Sequence, residues 1–233
     1  MKKIILSTKL LVGATFLASA GMASGVNLVQ NPSFELGNGV GIGFGFDDVD
    51  VNFVPDVTQV GGSQSNTKIL DWTVSQDRPL IWIDNAYTGP LKTIFGAKFL
   101  DLTFYTNVNT QYATIAQNLN TTASQIYTLS FSLGSSNIFG VLPVIAVSTA
   151  GISVNFAVTA APTAVNSWTN FSYNFTAPAN VTAITFTGLQ GSDYIGLDNI
   201  SVTAVPEPSS IAMLFAGLAA VGAVVVRKRK QNS

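Results

Sequence analysis

The residues of this sequence that could do acid–base or metal chemistry are carboxylates. The chain has no histidine and no cysteine, which excludes Ser-His-Asp and Cys-His nucleophile systems and the usual zinc sites. A glycosidase built on carboxylates needs one acid with a raised pKa and a second carboxylate about 5 to 9.5 Å away. The candidates for such a pair are Glu35, Asp71, Asp84, Asp101 and Asp198. Only one glutamate occurs between residues 24 and 204, so the composition argues against an enzyme without excluding one.

A second candidate site lies in the segment Leu80–Asn85, where Ile81 and Ile83 alternate with Trp82 and Asp84. If the isoleucines fill a core, alternation along a strand leaves Trp82 exposed on the opposite face. An exposed indole ring beside polar side chains offers a sugar a stacking face and hydrogen bonds. The predicted ligand-binding residues are Trp82, Asp84, Asn85 and Tyr87. The alternative, a tryptophan in the core, stays open here, and for Trp72 it is the prediction.

The acid-rich stretch 47–52 resembles the start of an EF-hand calcium loop, with Asp48, Asp50 and Asn52 at alternate positions. The sixth position of that loop should be glycine and the twelfth glutamate. This sequence has Phe53 and Gln59 there. We therefore predict a solvated, mobile loop.

The elements that must position these residues are β-strands. Apolar residues alternate with polar ones at a period of two, and turn residues bound each run. Nine short strands in one folding unit of about 180 residues predict an all-β, two-sheet antiparallel sandwich. The predicted strands are 69–74, 80–84, 110–118, 126–133, 142–148, 152–158, 168–176, 181–188 and 193–203.

The N-terminus has the pattern of a secretory signal peptide. Lys2 and Lys3 precede an apolar stretch from Leu10 to Ala18, and small residues follow. Such a signal is removed after export. Cleavage after Ala20, Ala23 or Gly25 is compatible with the small residues there. Of these we predict Ala23, which gives a signal peptide at 1–23 and a folded ectodomain at 24–204.

The C-terminal residues 205–233 combine a Pro-Glu-Pro sequence, an apolar run and the cluster Arg227–Lys230. The apolar run 211–226 rises about 24 Å as a helix, slightly short of a hydrocarbon core of about 30 Å. Cations after such a run suit the cytoplasmic side of a membrane. We predict a transmembrane helix at 211–226, which would hold the protein to the membrane.

This order of features resembles the PEP-CTERM sorting signal of Gram-negative bacteria. The resemblance implies that Pro206, Glu207 and Pro208 form the motif recognised by an exosortase. It further implies export across the inner membrane, a membrane-anchored intermediate, and then a place on the cell surface or in the extracellular matrix. A plain single-pass anchor is the alternative.

The charge of the ectodomain bears on its partners. Residues 24–204 contain four basic and eleven acidic side chains, a net charge of −7. Binding to nucleic acid needs clustered lysine and arginine. We therefore predict no nucleic-acid partner. Since disulfides are absent, stability must come from core burial and, if one is present, a bound metal.

Six segments in order resemble the DUF642 group and its relatives. These segments are Asn31–Glu35, Ile69–Val74, Phe99–Leu102, Ile115–Leu119, Tyr127–Phe131 and Ile195–Val202. The resemblance implies a galactose-binding-like jelly roll akin to carbohydrate-binding modules. It also implies that the first and last strands are neighbours, with Glu35 and Asp198 at one structural Ca²⁺. Two carboxylates with loop carbonyls and water can supply the six to eight oxygens that Ca²⁺ prefers.

Together these features predict an exported, exosortase-sorted surface or matrix protein that binds extracellular polysaccharide weakly and without catalysis. The alternative from another class is a structural or adhesive surface protein that associates with itself. A glycoside-active enzyme is the third hypothesis.

Overall fold

The part of the chain that the computed structural model describes contains eleven strands, most of them formed by alternating apolar residues. The structure describes residues 25–37, 57–60, 68–75, 80–86, 89–103, 112–136, 141–159, 167–191, 194–206 and 208–231. The predicted signal peptide, the acid-rich stretch 47–52, Tyr87 and Glu207 lie outside this part of the chain.

Six strands form one antiparallel sheet. Their spatial order is β1 (Val57–Val60), β3 (Leu80–Asp84), β4 (Lys98–Asp101), β11 (Gly196–Ala204), β6 (Ile126–Ser135) and β9 (Ser167–Thr176). Five strands form a second antiparallel sheet, in the order β2 (Thr73–Val74), β5 (Thr114–Asn120), β10 (Val181–Gln190), β7 (Val144–Thr149) and β8 (Ile152–Ala157).

The chain changes sheet at nearly every connection from β4 onward, and among the described strands of that stretch the only hairpin within one sheet is β7–β8. This is the connectivity of a jelly roll. The predicted fold class is confirmed. Each of the nine predicted strands is present, β3 with the predicted ends 80–84 and the others with shifted ends. Two further strands, β1 and β4, were not predicted. In β4 the neighbours Phe99 and Leu100 are both fully buried, so the strand lacks the alternation that predicts one.

The main core lies between the two sheets. Trp72 is 2% exposed and contacts Phe34 and Phe186, with ring centroids 5.2 and 6.3 Å apart. Phe131 of β6 packs against Phe171 of β9 at 5.7 Å. The prediction that Trp72 is a core residue is confirmed. Burial of each such side chain contributes about 1.5–3 kcal/mol, before the entropy of ordering it is subtracted.

A second, smaller core covers the outer face of the six-stranded sheet. It contains the buried side chains Ile81, Ile83, Leu91, Phe99 and Tyr194, against which Trp168 packs. Leu91 belongs to the segment between β3 and β4, so this segment folds over the sheet. Both faces of β3 are therefore covered.

The C-terminal segment forms the helix α1, Pro208–Gln231. It includes the predicted run 211–226, which is helical as expected, and apolar side chains such as Phe215 (58% exposed) and Val221 (64% exposed) lie on its surface. Within the described residues, no helix meets the length and apolarity required to cross a membrane. The predicted transmembrane assignment is not supported.

Candidate functional site

Asp198 is a buried carboxyl group on β11. Its neighbour Leu197 faces the main core, so alternation turns Asp198 to the outer side of the six-stranded sheet. The pairing of β11 with β6 is irregular between Asp198 and Ser201, and Asn199 has a φ of 54°. This bulge changes the direction of the strand at the carboxyl group, and Asp198 is 0% exposed.

Hydrogen bonds fix the Asp198 carboxyl group on several sides. The hydroxyl of Thr93 donates to its Oδ2 atom, the backbone N–H of Asn199 donates to Oδ1 at 2.6 Å, and the side chain of Ser33 donates as well. Burial nevertheless raises the pKa of Asp198 to about 7, and the nearby negative charge of Glu35 adds to this shift. Removal of the carboxyl group from water raises its pKa more than the three hydrogen-bond donors lower it.

Glu35 reaches the same place from the start of the sandwich. Its Oε1 atom accepts hydrogen bonds from the backbone N–H groups of Ala97 (2.8 Å) and Lys98 (2.9 Å), where β4 begins. A Cβ atom at Gly96 would lie 2.1 Å from that oxygen, so the glycine is what lets the carboxylate approach the backbone. In the described part of the chain, Oε2 of Glu35 has no hydrogen-bond partner.

A compact turn over residues 31–35 carries Ser33 and Glu35 to this site. The side-chain amide of Asn31 donates to the carbonyls of Leu36 (2.8 Å) and Leu70 (3.0 Å), and its oxygen accepts from the N–H of Leu36. Asn31 itself has a φ of 50°, which asparagine tolerates better than most residues. The carbonyl of Pro32 accepts from the N–H of Ile200 at 2.9 Å, which ties the turn to β11.

Thr93, which donates a hydrogen bond to Asp198, lies on the segment between β3 and β4. The side chain of Asn85 holds this segment in place through hydrogen bonds. The side chain of Asn85 accepts from the N–H of Thr93 at 2.9 Å and donates to the carbonyls of Thr93 (3.0 Å) and Gly96 (3.2 Å). Lys92 Nζ donates to the carbonyl of Asn85 at 2.7 Å. Asn85 was predicted to bind a ligand, but its amide is committed to this segment and positions Thr93.

This arrangement brings together the two residues for which a metal was predicted, and the donors fit a hard cation. Glu35, Asp198, Ser33 and Thr93 all present oxygen atoms, which Ca²⁺ prefers. Two neighbouring carboxylates, one fully buried, repel each other unless a proton or a cation compensates. No group of three acidic residues occurs in the described ranges, so carbonyl oxygens and water would have to complete the coordination.

Trp82 is a core residue, which is the alternative left open by the sequence, and the prediction that it binds a ligand from an exposed face is wrong. Its side chain is 4% exposed, its indole N–H donates to the carbonyl of Phe34 at 2.9 Å, and the ammonium of Lys98 lies 5.4 Å from the ring centroid. The ring therefore offers no stacking face to a sugar. Both faces of β3 are buried. The isoleucines pack in the second core, under the segment that covers the outer face of the sheet, and Trp82 packs in the main core on the inner face.

The candidate acids Asp84 and Asp101 have partners of their own. Asp84 is half-buried, with Oδ1 accepting from the N–H of Ala86 at 2.9 Å and Oδ2 lying 3.5 Å from Lys98 Nζ. Asp101 is 1% exposed and accepts from the N–H groups of Thr103 and Ile195, both at 3.0 Å. Of the five candidates for a catalytic pair, Glu35 and Asp198 lie close enough for the charge of one to affect the pKa of the other. Because Asp198 is fully buried, this pair does not line an open cleft.

Asp71 lies in an open groove of about 490 Å³ at the β2–β5 end of the second sheet. Gln117 braces its floor by hydrogen bonds to the N–H and the carbonyl of Gln30, each at 2.9 Å, and to the carbonyl of Asp71 at 3.0 Å. The lining residues are Gln30, Asp71, Thr73, Ala116, Gln117 and Asn118. Nothing in the sequence indicated this groove, since its residues come from three separate segments.

Comparison with known families identifies a sorting motif at the C-terminus. The PEP-CTERM protein-sorting motif matches residues 204–230, which include Pro206, Glu207 and Pro208. A comparison with curated proteins finds no match. The DUF642 assignment stays a prediction.

Solved structures similar to this chain include carbohydrate-binding modules. A family 35 carbohydrate binding module from Clostridium thermocellum is 15% identical with a TM-score of 0.40, and the alignment covers 64% of this chain and 98% of the module. TmCBM61 in complex with β-1,4-galactotriose is 14% identical with a TM-score of 0.38, and the alignment covers 77% of this chain and 99% of TmCBM61. The enzymatically active domain of bacteriophage CBA120 tailspike protein 4 is 12% identical with a TM-score of 0.41, covering 77% of this chain but only 22% of the tailspike.

Proposed function

We propose that this chain is an exported protein that an exosortase sorts to the cell surface or extracellular matrix of a Gram-negative bacterium, where its sandwich binds polysaccharide weakly and without catalysis. The observation that carries the sorting is the PEP-CTERM match over residues 204–230. Pro206 follows the last strand after a single residue, so the sorting motif begins where the folded sandwich ends.

Intact-mass analysis of the protein recovered from the envelope and culture medium of its host tests the sorting. We expect a mass that lacks the signal peptide up to Ala23 and the residues after the Pro206–Pro208 motif. Recovery of the full C-terminus in every fraction would contradict exosortase processing. This measurement does not depend on any ligand.

The groove beside Asp71 supports the binding part of the proposal. It offers the carboxylate of Asp71, the hydroxyl of Thr73 and the amide of Asn118 around the small apolar side chain of Ala116. Its size falls within the range of about 300–1,000 Å³ for small-molecule sites. None of the described lining residues is aromatic, so stacking is missing and hydrogen bonds to sugar hydroxyls would give weak affinity.

Polysaccharide pull-down and calorimetry with the whole protein and an Asn118→Ala variant test this groove. Loss of one hydrogen-bonding amide, worth about 1 kcal/mol, should weaken binding about fivefold. Asn155→Ala is the matched control, because Asn155 is an exposed asparagine on β8 of the same sheet, away from the groove. If the unmodified protein binds no polysaccharide, or if both variants bind equally, the assignment of the groove is wrong.

We also propose one structural Ca²⁺ held by Glu35 and Asp198, with hydroxyl and carbonyl oxygens around them. Bound calcium would compensate the two neighbouring carboxylates and join the 31–35 turn to β11. A ligand that binds only the folded state raises the melting temperature, so millimolar Ca²⁺ should raise it relative to EDTA. The same comparison with Glu35→Gln should show a smaller rise, and an unmodified protein that melts identically in Ca²⁺ and EDTA would contradict the site.

A further inference from the structure

The edge strand β9 lacks the features that usually prevent edge-to-edge association. Natural sheets protect their edges with short strands, charged residues, proline or bulges. β9 is ten residues long, Ser-Trp-Thr-Asn-Phe-Ser-Tyr-Asn-Phe-Thr, and contains no charged residue and no proline. All ten residues pair with β6 in one unbroken register, so no bulge bends the strand away. Within the described strands, β6 is its only neighbour.

The other sheet edges in the described part of the chain are shorter. β1 has four residues, β2 has two and β8 has six. β9 therefore presents the longest row of backbone groups open to a further strand. Its outward side chains Asn170, Ser172 and Asn174 are exposed, while Phe171 and Phe175 turn toward the main core.

The outward amides of β9 have hydrogen-bonding capacity left. The oxygen of Asn170 accepts from the hydroxyl of Ser132 at 2.7 Å, and that of Asn174 accepts from the hydroxyl of Thr128 at 2.8 Å. No acceptor for either NH₂ group lies among the described residues. A strand placed alongside β9 could therefore meet backbone groups and side-chain donors together.

The distribution of charged residues indicates which partner strand fits best against β9. The sequence contains no Asp, Glu, Lys or Arg between Asp101 and Asp193. Two copies of a domain with eleven acidic and four basic side chains repel each other over most of their surfaces. Along β9 this repulsion is weak, because the strand and the neighbouring β6 carry no charge.

We infer that β9 is a self-association edge, on which a second copy of this chain adds its own β9 in antiparallel orientation across a two-fold axis. Side chains directly opposite each other in an antiparallel pair lie on the same face of the sheet. The two-fold axis must therefore pass between the two copies of one residue, which lie opposite each other. An axis at Ser172 places Asn170 of one copy opposite Asn174 of the other. This contact goes beyond the proposed function and does not depend on polysaccharide binding.

Sedimentation velocity over a concentration series, with the whole protein and three variants, tests this edge. Ser172→Lys and Ser172→Glu each place two like charges face to face across the axis and should weaken dimerisation at least tenfold. Thr185→Lys is the control, because Thr185 lies on β10 between two other strands of the second sheet. It makes the net charge less negative by the same amount as Ser172→Lys, so general charge effects would strengthen association in both lysine variants.

Loss of dimers in both Ser172 variants but not in Thr185→Lys supports the β9 contact. Monomeric unmodified protein at all concentrations overturns it, and so does association that is equal in all four proteins, as contact through the apolar side chains of α1 would give. Because the sequence has no cysteine, Ser172→Cys adds a second readout. The two cysteines should form a disulfide between copies under oxidation, whereas Thr185→Cys should not, and equal cross-linking of both variants also counts against the edge.

Discussion

The chemistry of single residues is concentrated at Asp198. A carboxyl group normally leaves water only with a compensating charge, yet Asp198 is fully buried with neutral donors and the acidic Glu35 as its neighbours. Its pKa is consequently raised from 3.8 to about 7. Both a proton and a calcium ion relieve the same repulsion, so the two should compete.

This competition predicts an unusual pH dependence of stability. A group with a higher pKa in the folded state binds its proton more tightly there, so its contribution to stability is complete below its unfolded pKa. The contribution is lost as the pH rises through the folded pKa. In EDTA, the free energy of unfolding from urea titrations should therefore fall between about pH 4 and about pH 7, and in Ca²⁺ this fall should be smaller.

The control for the pH experiment is Asp198→Asn, which keeps the shape of the side chain and removes the titration. Its stability in EDTA should vary less over the same range, and Ca²⁺ should have little effect on it. A free energy of unfolding that is flat or rises with pH in the unmodified protein would show that Asp198 is charged in the folded state without a metal.

A glycine controls the other carboxylate. A methyl group at Gly96 would lie 2.1 Å from Oε1 of Glu35, so Gly96→Ala should push this side chain off the N–H groups of Ala97 and Lys98. Loss of hydrogen bonds that are largely exposed to water costs about 1 kcal/mol, and the rise in melting temperature with Ca²⁺ should shrink as well. Gly217→Ala is the control, since a methyl group there would meet nothing within 4 Å apart from its chain neighbours and the backbone of its own helix. Equal effects of the two substitutions would mean that Glu35 has room to move.

At the scale of elements, the segment between β3 and β4 does two things at once. It covers the outer face of the sheet with Leu91, and it carries Thr93 to the Asp198 carboxyl group. Trp168 of β9 holds the same segment by donating its indole N–H to the carbonyl of Lys92 at 2.7 Å. The second core and the candidate calcium site are therefore built by the same segment, and a change in one should be felt in the other.

Asn85→Ala tests this coupling. The substitution removes the acceptor of the Thr93 N–H and the donor to two carbonyls, and Thr93 is only 5% exposed. Leaving such buried groups unpaired costs about 1–3 kcal/mol. We expect this loss in urea unfolding, together with a weaker calcium response. Asn174→Ala, which removes an exposed asparagine from β9, should cost less and leave the calcium response unchanged.

The sequence predicted the strands well, but it did not predict which faces of the strands are buried by other segments. Period-two alternation located nine strands, because in each of them one side faces the main core. It failed at β4 and at Trp82 for the same reason, since a segment with no periodic pattern of its own buries the outer face. Glu35 and Asp198 were paired through the resemblance, and the structure brings them together, but nothing in the sequence indicated that Thr93 would join them.

At the scale of the whole molecule, the charges are segregated. Between residues 24 and 204, acidic and basic side chains occur only in 35–101 and 193–198. The strands β5, β7, β8 and β10, which form most of the second sheet, carry none. One part of the sandwich can therefore respond to cations and pH, whereas the other presents hydroxyl, amide and methyl groups to uncharged partners.

Hydrogen exchange should reveal this division. Calcium at Glu35 and Asp198 would join three parts of the chain, namely β11, the 31–35 turn and the segment that carries Thr93. At short labelling times Ca²⁺ should therefore slow hydrogen exchange in residues 25–37, 89–101 and 194–200. Local opening of the second sheet does not break the site, so β7, β8 and β10 should exchange at the same rate with or without the metal. At long times global unfolding contributes, and a bound ligand slows exchange everywhere. Early protection confined to the second sheet would place the calcium elsewhere, whereas protection of the three joined segments alone would identify them as one calcium-dependent unit.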